Sequence, residues 1–333
     1  MIEKVRDFSR TVACYGLFNT IYHPQIVTMN KKAKVPRSHF TRRSTAEQVT
    51  ADIDLRGKNI LITGCNSGLG FETMRVLAKR GAQVIGTART RPKAEDAGSE
   101  VGAEIFPVAC ELSDLDSVVA CAEEVESLDC PIDVLICNAG IMAPPKLQQK
   151  YGLEMQFLTN HLGHFVLVNR LLERVKQAPA GRVVMVSSLG HLTSVPGGIN
   201  FDNLSGDQGY IPFTFYGQSK LANLLMSNQL ASRLHGSRAT SNAIHPGIIM
   251  TPLMRNFGGI RATLSRLLSW PVSRNVQQGA ATQCYVATAP ALDGVSGHYF
   301  ADCNPAIMSI HGKNPELARR LWTVSEELAA KYL

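Results

Sequence analysis

Short apolar runs alternate with amphipathic segments along most of this chain. Runs rich in Val, Ile and Leu predict seven strands, at residues 58–62, 83–89, 104–110, 132–137, 182–186, 239–244 and 297–300. Helical spacing of apolar residues predicts helices at 71–78, 153–175, 214–234 and 316–332. A further helix is predicted directly after a capping-box signature at 113–116. Because the strands are apolar on both faces, we predict an α/β architecture in which helices cover both faces of a seven-stranded, mostly parallel, doubly wound sheet.

A glycine-rich turn lies between the first strand and the first helix. Residues 63–70 read Thr-Gly-Cys-Asn-Ser-Gly-Leu-Gly. Gly64, Gly68 and Gly70 let the backbone turn tightly and approach a ligand, and the turn opens a helix whose free N–H groups attract an anion. This arrangement predicts a pyrophosphate cradle in a Rossmann-type fold. The residues between the glycines that complete the cradle are Asn66, Ser67 and Leu69.

Residues with chemical potential also follow other predicted strands. They are Arg89, Asn138, Ala139, Gly140, Ser188, Pro246 and Gly247. In open α/β sheets, ligands bind outside the carboxyl ends of the strands, so these residues predict one binding edge. No internal repeat or low-complexity segment interrupts residues 55–333, which we expect to form one domain.

Tyr216 and Lys220 stand at positions i and i+4, on one face of a predicted helix. A free tyrosine has a pKa of about 10, which is too high for a base at neutral pH. A nearby ammonium lowers that pKa, so the Tyr216 phenol can exchange a proton with a substrate oxygen. The Ser188 hydroxyl can hold the same oxygen, and the three residues together predict alcohol or carbonyl chemistry.

These segments resemble the motifs of the short-chain dehydrogenase/reductase superfamily and, within it, of the retinol dehydrogenase and WW-domain oxidoreductase group. The resemblance covers about residues 54–333, and the spacing of 28 residues from Ser188 to Tyr216 supports the closer kinship. The matching motifs are Thr63-Gly64-x-x-x-Gly68-x-Gly70, Asn138-Ala139-Gly140, Asn-His-Leu-Gly-His-Phe at 160–165, Val186-Ser187-Ser188, Tyr216-x-x-x-Lys220 and His245-Pro246-Gly247.

The resemblance implies a catalytic tetrad. Tyr216 would be the acid/base, and Lys220 would lower its pKa while hydrogen-bonding the nicotinamide ribose. Ser188 would orient and polarise the substrate oxygen, and Asn160 would hold a water that relays protons through Lys220. Besides the glycine-rich turn, the implied cofactor contacts are Glu111, Leu112, Asn138, Ala139, Gly140, Tyr216, Lys220, Pro246, Gly247 and Thr251.

The end of the second strand predicts the choice of cofactor. An acidic residue there would bind the ribose 2′-hydroxyl of NAD(H), whereas an arginine accommodates the 2′-phosphate of NADP(H). The strand ends at Arg89, so we predict NADP(H). Cys65 stands where many NADP-binding relatives have a basic residue, so Arg89 must carry more of the recognition. Glu111 stands where relatives have Asp in the adenine-binding pair, and we expect it to reach similarly.

Charge is concentrated at the N-terminus. The net charge is +7 over 333 residues, and residues 1–56 supply five of these charges, with ten Lys or Arg against five Asp or Glu. We interpret residues 1–54 as a basic extension that is either solvated or in contact with anionic lipid. The body has no basic patch with interleaved aromatic residues, so nucleic acid is not a predicted partner.

The cysteines and histidines predict neither disulfides nor a metal site. Eight cysteines without a C-x-x-C pair are typical of a reducing compartment, so we expect a cytoplasmic protein, with membrane association as the alternative. Four histidines that invite a metal-site interpretation lack zinc-ligand partners, so we assign them structural roles. They are His161, His164, His191 and His245.

Apolar and basic residues are mixed after the sixth predicted strand. Residues 250–275 combine Leu, Ile, Met, Phe and Trp with four arginines. Three interpretations stay open: a lid over an apolar substrate, an amphipathic helix on a membrane, and a helix that packs on a neighbouring subunit. Residues 190–213 are expected to form another wall of the pocket.

We therefore predict an NADP(H)-dependent oxidoreductase that interconverts an alcohol and a ketone or aldehyde. Reduction of a bulky apolar carbonyl, such as a retinoid-, steroid- or lipid-like one, is the expected direction. The alternatives are a catalytically silent dinucleotide-binding regulatory protein and a ring double-bond reductase of the protochlorophyllide reductase type. The predicted partner is a small apolar substrate, and peripheral membrane contact and a homo-oligomer are left open.

Overall fold

The computed structural model describes residues 35–249 and 274–333. The strands are β1 (Asn59–Thr63), β2 (Gln83–Ala88), β3 (Ile105–Ala109), β4 (Val134–Cys137), β5 (Gln149–Lys150), β6 (Leu153–Glu154), β7 (Arg182–Val186), β8 (Thr240–His245), β9 (Tyr299–Ala301) and β10 (Asn304–Pro305). The α-helices are α1 (Ala46–Val49), α2 (Gly68–Lys79), α3 (Arg91–Val101), α4 (Leu115–Glu126), α5 (Met155–Phe157), α6 (Gly163–Gln177), α7 (Pro212–Arg233), α8 (Val276–Gly279), α9 (Ala281–Thr288) and α10 (Pro315–Ala329).

Within the described residues, eight strands form one sheet in the order β10-β9-β8-β7-β4-β1-β2-β3. All neighbouring strands from β3 to β9 pair in parallel. The seven predicted strands and the doubly wound, mostly parallel architecture are confirmed. The chain order changes direction between β1 and β4, so the carboxyl ends of these two strands border the crevice in which such sheets bind ligands.

The eighth strand is the one that the sequence pattern did not predict. β10 consists of Asn304 and Pro305 and pairs antiparallel with β9. The chain reverses between the two strands at Asp302 and Cys303, whose φ angles are 55° and 59°. A strand of two residues shows no apolar alternation, and its proline is tolerated because β10 lies at the sheet edge. Pro107 is accommodated in β3, at the opposite edge, for the same reason.

Two hydrophobic cores lie on the two faces of the sheet. The side chains of β1 alternate between them: Leu61 joins one core, whereas Ile60 and Ile62 join the other. Helices α4, α6, α7 and α10 cover the first face, and α1, α2, α3 and α9 cover the second. Strands β4 and β7 are buried along their whole length, which their apolar runs predicted, and β8 is also fully buried although it carries Thr240, Ser241 and Asn242.

Two helical segments differ from the sequence prediction. Helix α3 was not among the predicted helices; Thr90 is its N-cap, and Pro92 lies in its first turn, a favourable place for proline. α3 buries small residues only and therefore has no apolar stripe. The long helix expected at 153–175 begins at Met155 and passes through a π-helical turn, Leu158–Leu162, before α6.

Residues 35–54 pack against the body. In α1, Ala46 and Val49 are buried and contact the second core. The Arg80 guanidinium donates to the Glu47 carbonyl oxygen at 2.9 Å, and the Ser38 hydroxyl donates to the Cys303 carbonyl oxygen at 2.9 Å. The predicted domain boundary at residue 54 stays a prediction, and these contacts favour a boundary nearer residue 35.

Among residues 35–249 and 274–333, no helix is both long and apolar enough to cross a bilayer. The basic residues 1–34 and most of the predicted lid, residues 250–273, lie outside the described residues.

We predict that residues 35–54 stabilise the domain. A chain that starts at residue 55 should unfold at a melting temperature roughly 5–10 °C below that of a chain starting at residue 35, because it exposes the apolar surface that α1 covers and leaves Arg80 without its carbonyl acceptor. Differential scanning calorimetry of the two truncated chains measures the difference. Equal melting temperatures would place the boundary at residue 54 after all.

Candidate active site

The carboxyl edge of the sheet brings most of the predicted site residues together. Neighbouring strands β7, β4, β1 and β2 end in parallel at this edge. The residues that follow them are Gly64 after β1, Arg89 after β2, Asn138 after β4 and Ser188 after β7. The sequence prediction of one binding edge agrees with this topology.

The glycine-rich turn has a shape that side chains would destroy. Gly64 and Gly68 have φ angles of 71° and 57°. A Cβ added to Gly70 would lie 2.1 Å from the Gly64 carbonyl oxygen, and one added to Gly64 would lie 2.9 Å from the Ala139 Cβ. Within the described residues, the N-cap Ser67 makes no side-chain capping bond. The first N–H groups of α2 therefore remain available to an anion at the helix N-terminus.

Cys65 is a packing residue beneath this turn. Its N–H donates to the Thr87 carbonyl oxygen at 2.9 Å, and its side chain is fully buried. A Cβ added to Gly86 of β2 would lie 3.0 Å from the Cys65 Sγ atom. Burial raises the pKa of the Cys65 thiol to about 12, so it is a neutral core group.

The turn is fastened to the end of β4 by Thr63 and Asn138. The Thr63 Oγ1 atom accepts hydrogen bonds from the N–H groups of Asn138, at 2.9 Å, and Ala139, at 3.0 Å. In return, the Asn138 Nδ2 atom donates to the carbonyl oxygens of Thr63, at 2.8 Å, and Gly64, at 3.4 Å. The Asn138 side chain thus fixes the shape of the cradle. Thr63 belonged to the recognised motif, but the sequence did not indicate this role.

Tyr216, Lys220 and Ser188 meet where α7 passes the end of β7. The Lys220 Nζ atom lies 5.9 Å from the centre of the Tyr216 ring. Gly190 separates the ring from Ser188: a Cβ added there would lie 2.9 Å from the Tyr216 Cε1 atom and 3.4 Å from the Ser188 Oγ atom. Tyr216 and Lys220 are only 8% and 4% exposed, so the site is largely shielded from water.

Burial dominates the electrostatics of this cluster. It lowers the pKa of Lys220 to about 8, so the ammonium is still the main form at pH 7. The Lys220 Nζ atom donates to the Val186 carbonyl oxygen at 3.0 Å. Burial also raises the pKa of Tyr216, and the Ser188 hydroxyl opposes this only in part. Desolvation thus favours the protonated phenol, and the predicted lowering of the Tyr216 pKa by Lys220 stays a prediction.

Asn160 lies in the π-helical turn and supports the same cluster from below. Its Oδ1 atom accepts from the Ile141 N–H at 2.8 Å, and its Nδ2 atom donates to the Ile141 carbonyl oxygen at 3.0 Å and to the Ser219 Oγ atom at 2.9 Å. A Cβ added to Gly140 would lie 2.9 Å from Asn160 Oδ1 and 3.5 Å from Lys220 Nζ. Asn160 therefore joins the end of β4 to α7, and its predicted role as a water ligand stays a prediction.

Arg89 is the exposed cation at the end of β2. Across residues 35–249 and 274–333, its guanidinium has no hydrogen-bond or ion-pair partner. The neighbouring Arg91 is engaged, because it forms an ion pair with Glu124 at 2.5 Å and donates to the Pro107 carbonyl oxygen at 2.6 Å. Arg89 is thus the arginine that can meet an incoming anion here.

The predicted adenine pair is arranged differently from the expectation. The Glu111 Oε1 atom accepts from the N–H of Ser113 at 3.0 Å and from its hydroxyl at 2.8 Å, so the carboxylate folds onto its own turn. Leu112 is buried, and a Cβ added to Gly163 would lie 2.3 Å from its carbonyl oxygen. Of the other cradle residues, Asn66 is exposed and Leu69 is partly buried.

The loop after β8 is held by Arg274, one of the four arginines that the sequence analysis grouped in the predicted lid. Arg274 donates from Nη1 to the Pro246 carbonyl oxygen at 3.2 Å and forms an ion pair with Asp302. Gly247 has a φ angle of 104°, and a Cβ there would lie 2.6 Å from the Arg274 Cδ atom. The predicted contact Thr251 lies outside the described residues.

The histidines near the edge are buried supports. His191 Nδ1 hydrogen-bonds the Ser188 carbonyl oxygen at 2.6 Å, and His245 Nδ1 accepts from the Leu189 N–H at 3.3 Å. Burial lowers the pKa of both imidazoles, to about 3 for His245. In the described part of the chain, no group of His, Cys, Asp and Glu residues is arranged to hold a metal ion.

Comparisons with known proteins agree on one family. A model of the short chain dehydrogenase family matches residues 58–259. The chain is 40% identical over 308 residues to short-chain dehydrogenase TIC 32 B, chloroplastic, of Brassica napus, covering 89% of this chain and 96% of that protein. It is 41% identical over 284 residues to retinol dehydrogenase 12 of Mus musculus, covering 84% and 88%. A crystal structure of an uncharacterized protein from Mycobacterium Paratuberculosis is 35% identical, with a TM-score of 0.68 and coverage of 86% and 97%.

The close contacts of Gly70 predict that Gly70→Ala impairs dinucleotide binding. The added Cβ collides with the Gly64 carbonyl oxygen and the Asn138 amide, so the dissociation constant of NADPH should rise at least about tenfold. Fluorescence titration with NADPH measures this dissociation constant.

The control is Gly102→Ala at the end of α3, where φ is 67° and nothing lies within 4 Å of an added Cβ. It should cost about 1–2 kcal/mol of stability and leave NADPH affinity unchanged. Unchanged affinity in Gly70→Ala would contradict the proposed cradle.

Proposed function

The chain belongs to the short-chain dehydrogenase/reductase superfamily and, within it, to the retinol dehydrogenase-like group; on this basis we propose that it is an NADP(H)-dependent reductase of bulky apolar ketones or aldehydes. Members of this superfamily are oxidoreductases that bind a nicotinamide dinucleotide. The observation that carries the proposal is the convergence of Tyr216, Ser188 and Lys220 in one shielded cluster beside the glycine-rich turn.

The residues of this cluster divide the work of carbonyl reduction. The Tyr216 hydroxyl donates its proton to the carbonyl oxygen as that oxygen gains negative charge. The Ser188 hydroxyl hydrogen-bonds the same oxygen and holds it beside the phenol. The Lys220 ammonium, held by the Val186 carbonyl oxygen, stabilises the phenolate that remains. The turn from Gly64 to Gly70 would hold the pyrophosphate of a nicotinamide dinucleotide, which would supply the hydride.

The Tyr216 phenol is the form that protonates a carbonyl oxygen in the reduction direction. Burial raises the pKa of Tyr216, so the free enzyme holds a phenol at neutral pH. A phenol is ready to protonate a carbonyl oxygen, whereas alcohol oxidation needs a phenolate. NADPH is also generally kept reduced in cells, which favours the same direction.

The case for NADP(H) rests on Arg89. Its exposed and unpaired guanidinium, in the described part of the chain, follows β2, where the 2′-position of the adenine ribose lies in Rossmann folds. The N-terminus of α3 begins two residues later and adds its positive dipole end. The Glu111 carboxylate accepts from the Ser113 hydroxyl at 2.8 Å and is turned towards its own loop.

The substrate class rests on apolar side chains around Ser188 and Tyr216. The 3₁₀ helix after Ser188 exposes 45% of Leu189 and 60% of Leu192. Ile211, just before α7, is 63% exposed, and Ile248, in the loop after β8, is 43% exposed. Exposed apolar residues that follow Ser188, precede α7 and follow β8 favour a ligand with a large apolar body and one polar group. Peripheral membrane contact, a homo-oligomer and a cytoplasmic location stay predictions.

We predict that Tyr216→Phe abolishes most of the activity and keeps cofactor binding. Wild-type protein should oxidise NADPH in the presence of at least one member of a panel of retinoid, steroid and aliphatic carbonyls. The variant should lose about 10²- to 10⁴-fold in kcat, because the proton donor is missing, while its NADPH dissociation constant changes less than about threefold.

Tyr285→Phe, which changes a buried tyrosine in α9, is the control and should keep full turnover. Full turnover by Tyr216→Phe would refute the mechanism, and NADPH binding without any turnover would favour the regulatory alternative.

We predict that Arg89→Leu lowers the preference for NADPH. Loss of a charge-assisted bond to the 2′-phosphate should raise KM for NADPH about 10- to 100-fold and leave KM for NADH nearly unchanged. Steady-state kinetics with both cofactors measures the ratio. Arg91→Leu is a matched control, because its guanidinium is already paired with Glu124, and its ratio should change less than about threefold. An unchanged ratio in Arg89→Leu would assign 2′-phosphate recognition to another residue.

A further inference from the structure

His164, in the first turn of α6, bonds to both halves of the candidate site. The side chain is fully buried. Its Nε2 atom lies 2.8 Å from the Thr63 Oγ1 atom, at the end of β1. Its Nδ1 atom lies 2.9 Å from the carbonyl oxygen of Asn160, in the π-helical turn. One imidazole thus spans from the glycine-rich turn to the residue that supports Lys220.

The chemistry of the partners determines which way these bonds run. A carbonyl oxygen only accepts, so His164 Nδ1 carries the proton and donates to Asn160. His164 Nε2 is then an acceptor and takes the hydroxyl proton of Thr63. The Thr63 oxygen is left to accept from the N–H groups of Asn138 and Ala139, which it does. Burial lowers the pKa of His164 to about 4, so this neutral tautomer persists at neutral pH.

Each partner of His164 controls a different part of the site. Thr63 sets the path of the chain into Gly64 and fastens it to Asn138. Asn160 links Ile141 to Ser219, the residue before Lys220. A shift at Thr63 therefore changes the cradle, whereas a shift at Asn160 changes the surroundings of Lys220 and Tyr216.

We propose that His164 is a positioning residue that couples the dinucleotide cradle, through Thr63, to the proton-handling cluster, through Asn160. The predicted effect of His164 on catalysis, through Asn160, rests on the proposed function. Its predicted effect on cofactor binding, through Thr63, requires only that the protein binds a dinucleotide. His164 contacts neither reactant in this arrangement and acts through the two residues that it holds.

His161 provides a matched comparison one helical turn away. It is equally buried, and its Nε2 atom lies 2.8 Å from the Ser325 Oγ atom on α10. The Ser325 hydroxyl donates to the Leu321 carbonyl oxygen at 2.7 Å, so His161 Nε2 is the donor to Ser325. His161 Nδ1 is buried without a partner among the described residues. This histidine ties α10 to the core and touches neither Thr63 nor Asn160 through a hydrogen bond.

Two isosteric variants separate the two bonds of His164. In His164→Asn, the amide nitrogen takes the place of Nδ1 and keeps the bond to Asn160, but nothing reaches Thr63. In His164→Gln, the terminal oxygen takes the place of Nε2 and keeps the bond from Thr63, but the donor to Asn160 is lost. We expect His164→Asn to raise the NADPH dissociation constant about five- to tenfold with kcat within about twofold of wild type. We expect His164→Gln to lower kcat about tenfold with NADPH affinity within about twofold of wild type.

The readouts are NADPH fluorescence titration, steady-state kcat with the best carbonyl of the panel, and melting temperature. His161→Asn and His161→Gln should lower the melting temperature without changing NADPH affinity or kcat. A purely structural His164 would behave in the same way, and that result would overturn the proposal. Equal losses of affinity and kcat in both His164 variants would also overturn it, because they would show that the two bonds do not act on separate parts of the site.

Thr63 supplies a second test if the His164 variants do not fold. Thr63→Ser keeps the hydroxyl and should retain NADPH affinity, whereas Thr63→Val should weaken it at least about tenfold. Equal affinities of Thr63→Ser and Thr63→Val would overturn the cofactor half of the proposal. A wild-type protein that binds NADPH but reduces no carbonyl would refute the proposed function alone. The NADPH affinities of His164→Asn and Thr63→Val would then still test the effect of His164 on cofactor binding.

Discussion

The ends of β1 and β4 are tied to each other by the Thr63 hydroxyl and the Asn138 amide, and the binding edge depends on this junction. Parallel strands twist relative to one another, so their ends diverge unless something fixes them beyond the last ladder bond. Here the Thr63 oxygen holds two N–H groups of the β4 loop, while the Asn138 amide holds two carbonyl oxygens of the β1 turn. The bonds run in both directions, so neither loop can shift without the other. The glycine-rich turn keeps its shape without a ligand because its neighbour holds it.

Burial gives the catalytic cluster its electrostatic character. Charges interact more strongly in a dry site than in water, but each charge also costs more to keep there. The imidazoles of His164, His191 and His245 are kept neutral by this cost, as the lowered pKa values of all three indicate. Lys220 bears the cationic charge of the cluster, and the Val186 carbonyl oxygen stabilises it. A phenolate formed at Tyr216 therefore has a cation close by, whereas the resting phenol is favoured as long as no substrate takes its proton.

The sequence predicted the parts of this molecule that leave a periodic or chemical signature. Strands such as β4 and β7 are continuous apolar runs, and the glycines, Ser188 and the Tyr216–Lys220 pair follow the strands and helix that position them. β10 was missed because two residues show no period, and α3 was missed because it buries only small side chains.

The sequence did not indicate the contacts of Arg274 and Thr63, because their partners, Asp302 and Asn138, are distant in sequence. A pattern along the chain cannot indicate which side chains from distant segments will meet. The i, i+4 spacing indicates an ammonium near Tyr216 but not the burial of its side chain, which raises the pKa of the phenol.

Many side chains of the recognised motifs bind the protein itself. Cys65 packs under the turn, the Asn138 amide holds the backbone of Gly64, and the Glu111 carboxylate holds Ser113. These side chains shape a backbone, and the backbone with a few groups such as Tyr216 is left to meet the ligand. The motifs can therefore indicate an oxidoreductase and leave the substrate undefined, because a shaped backbone does not by itself select among the molecules that fit the crevice. Selection among such molecules must come from side chains that face the crevice and hold no other partner in place. The exposed apolar residues beside Ser188, Leu189 and Leu192, meet that condition, and no motif prescribes their identity. Substitutions there should change which carbonyl is reduced, whereas substitutions at the junction of β1 and β4 should change whether any is reduced.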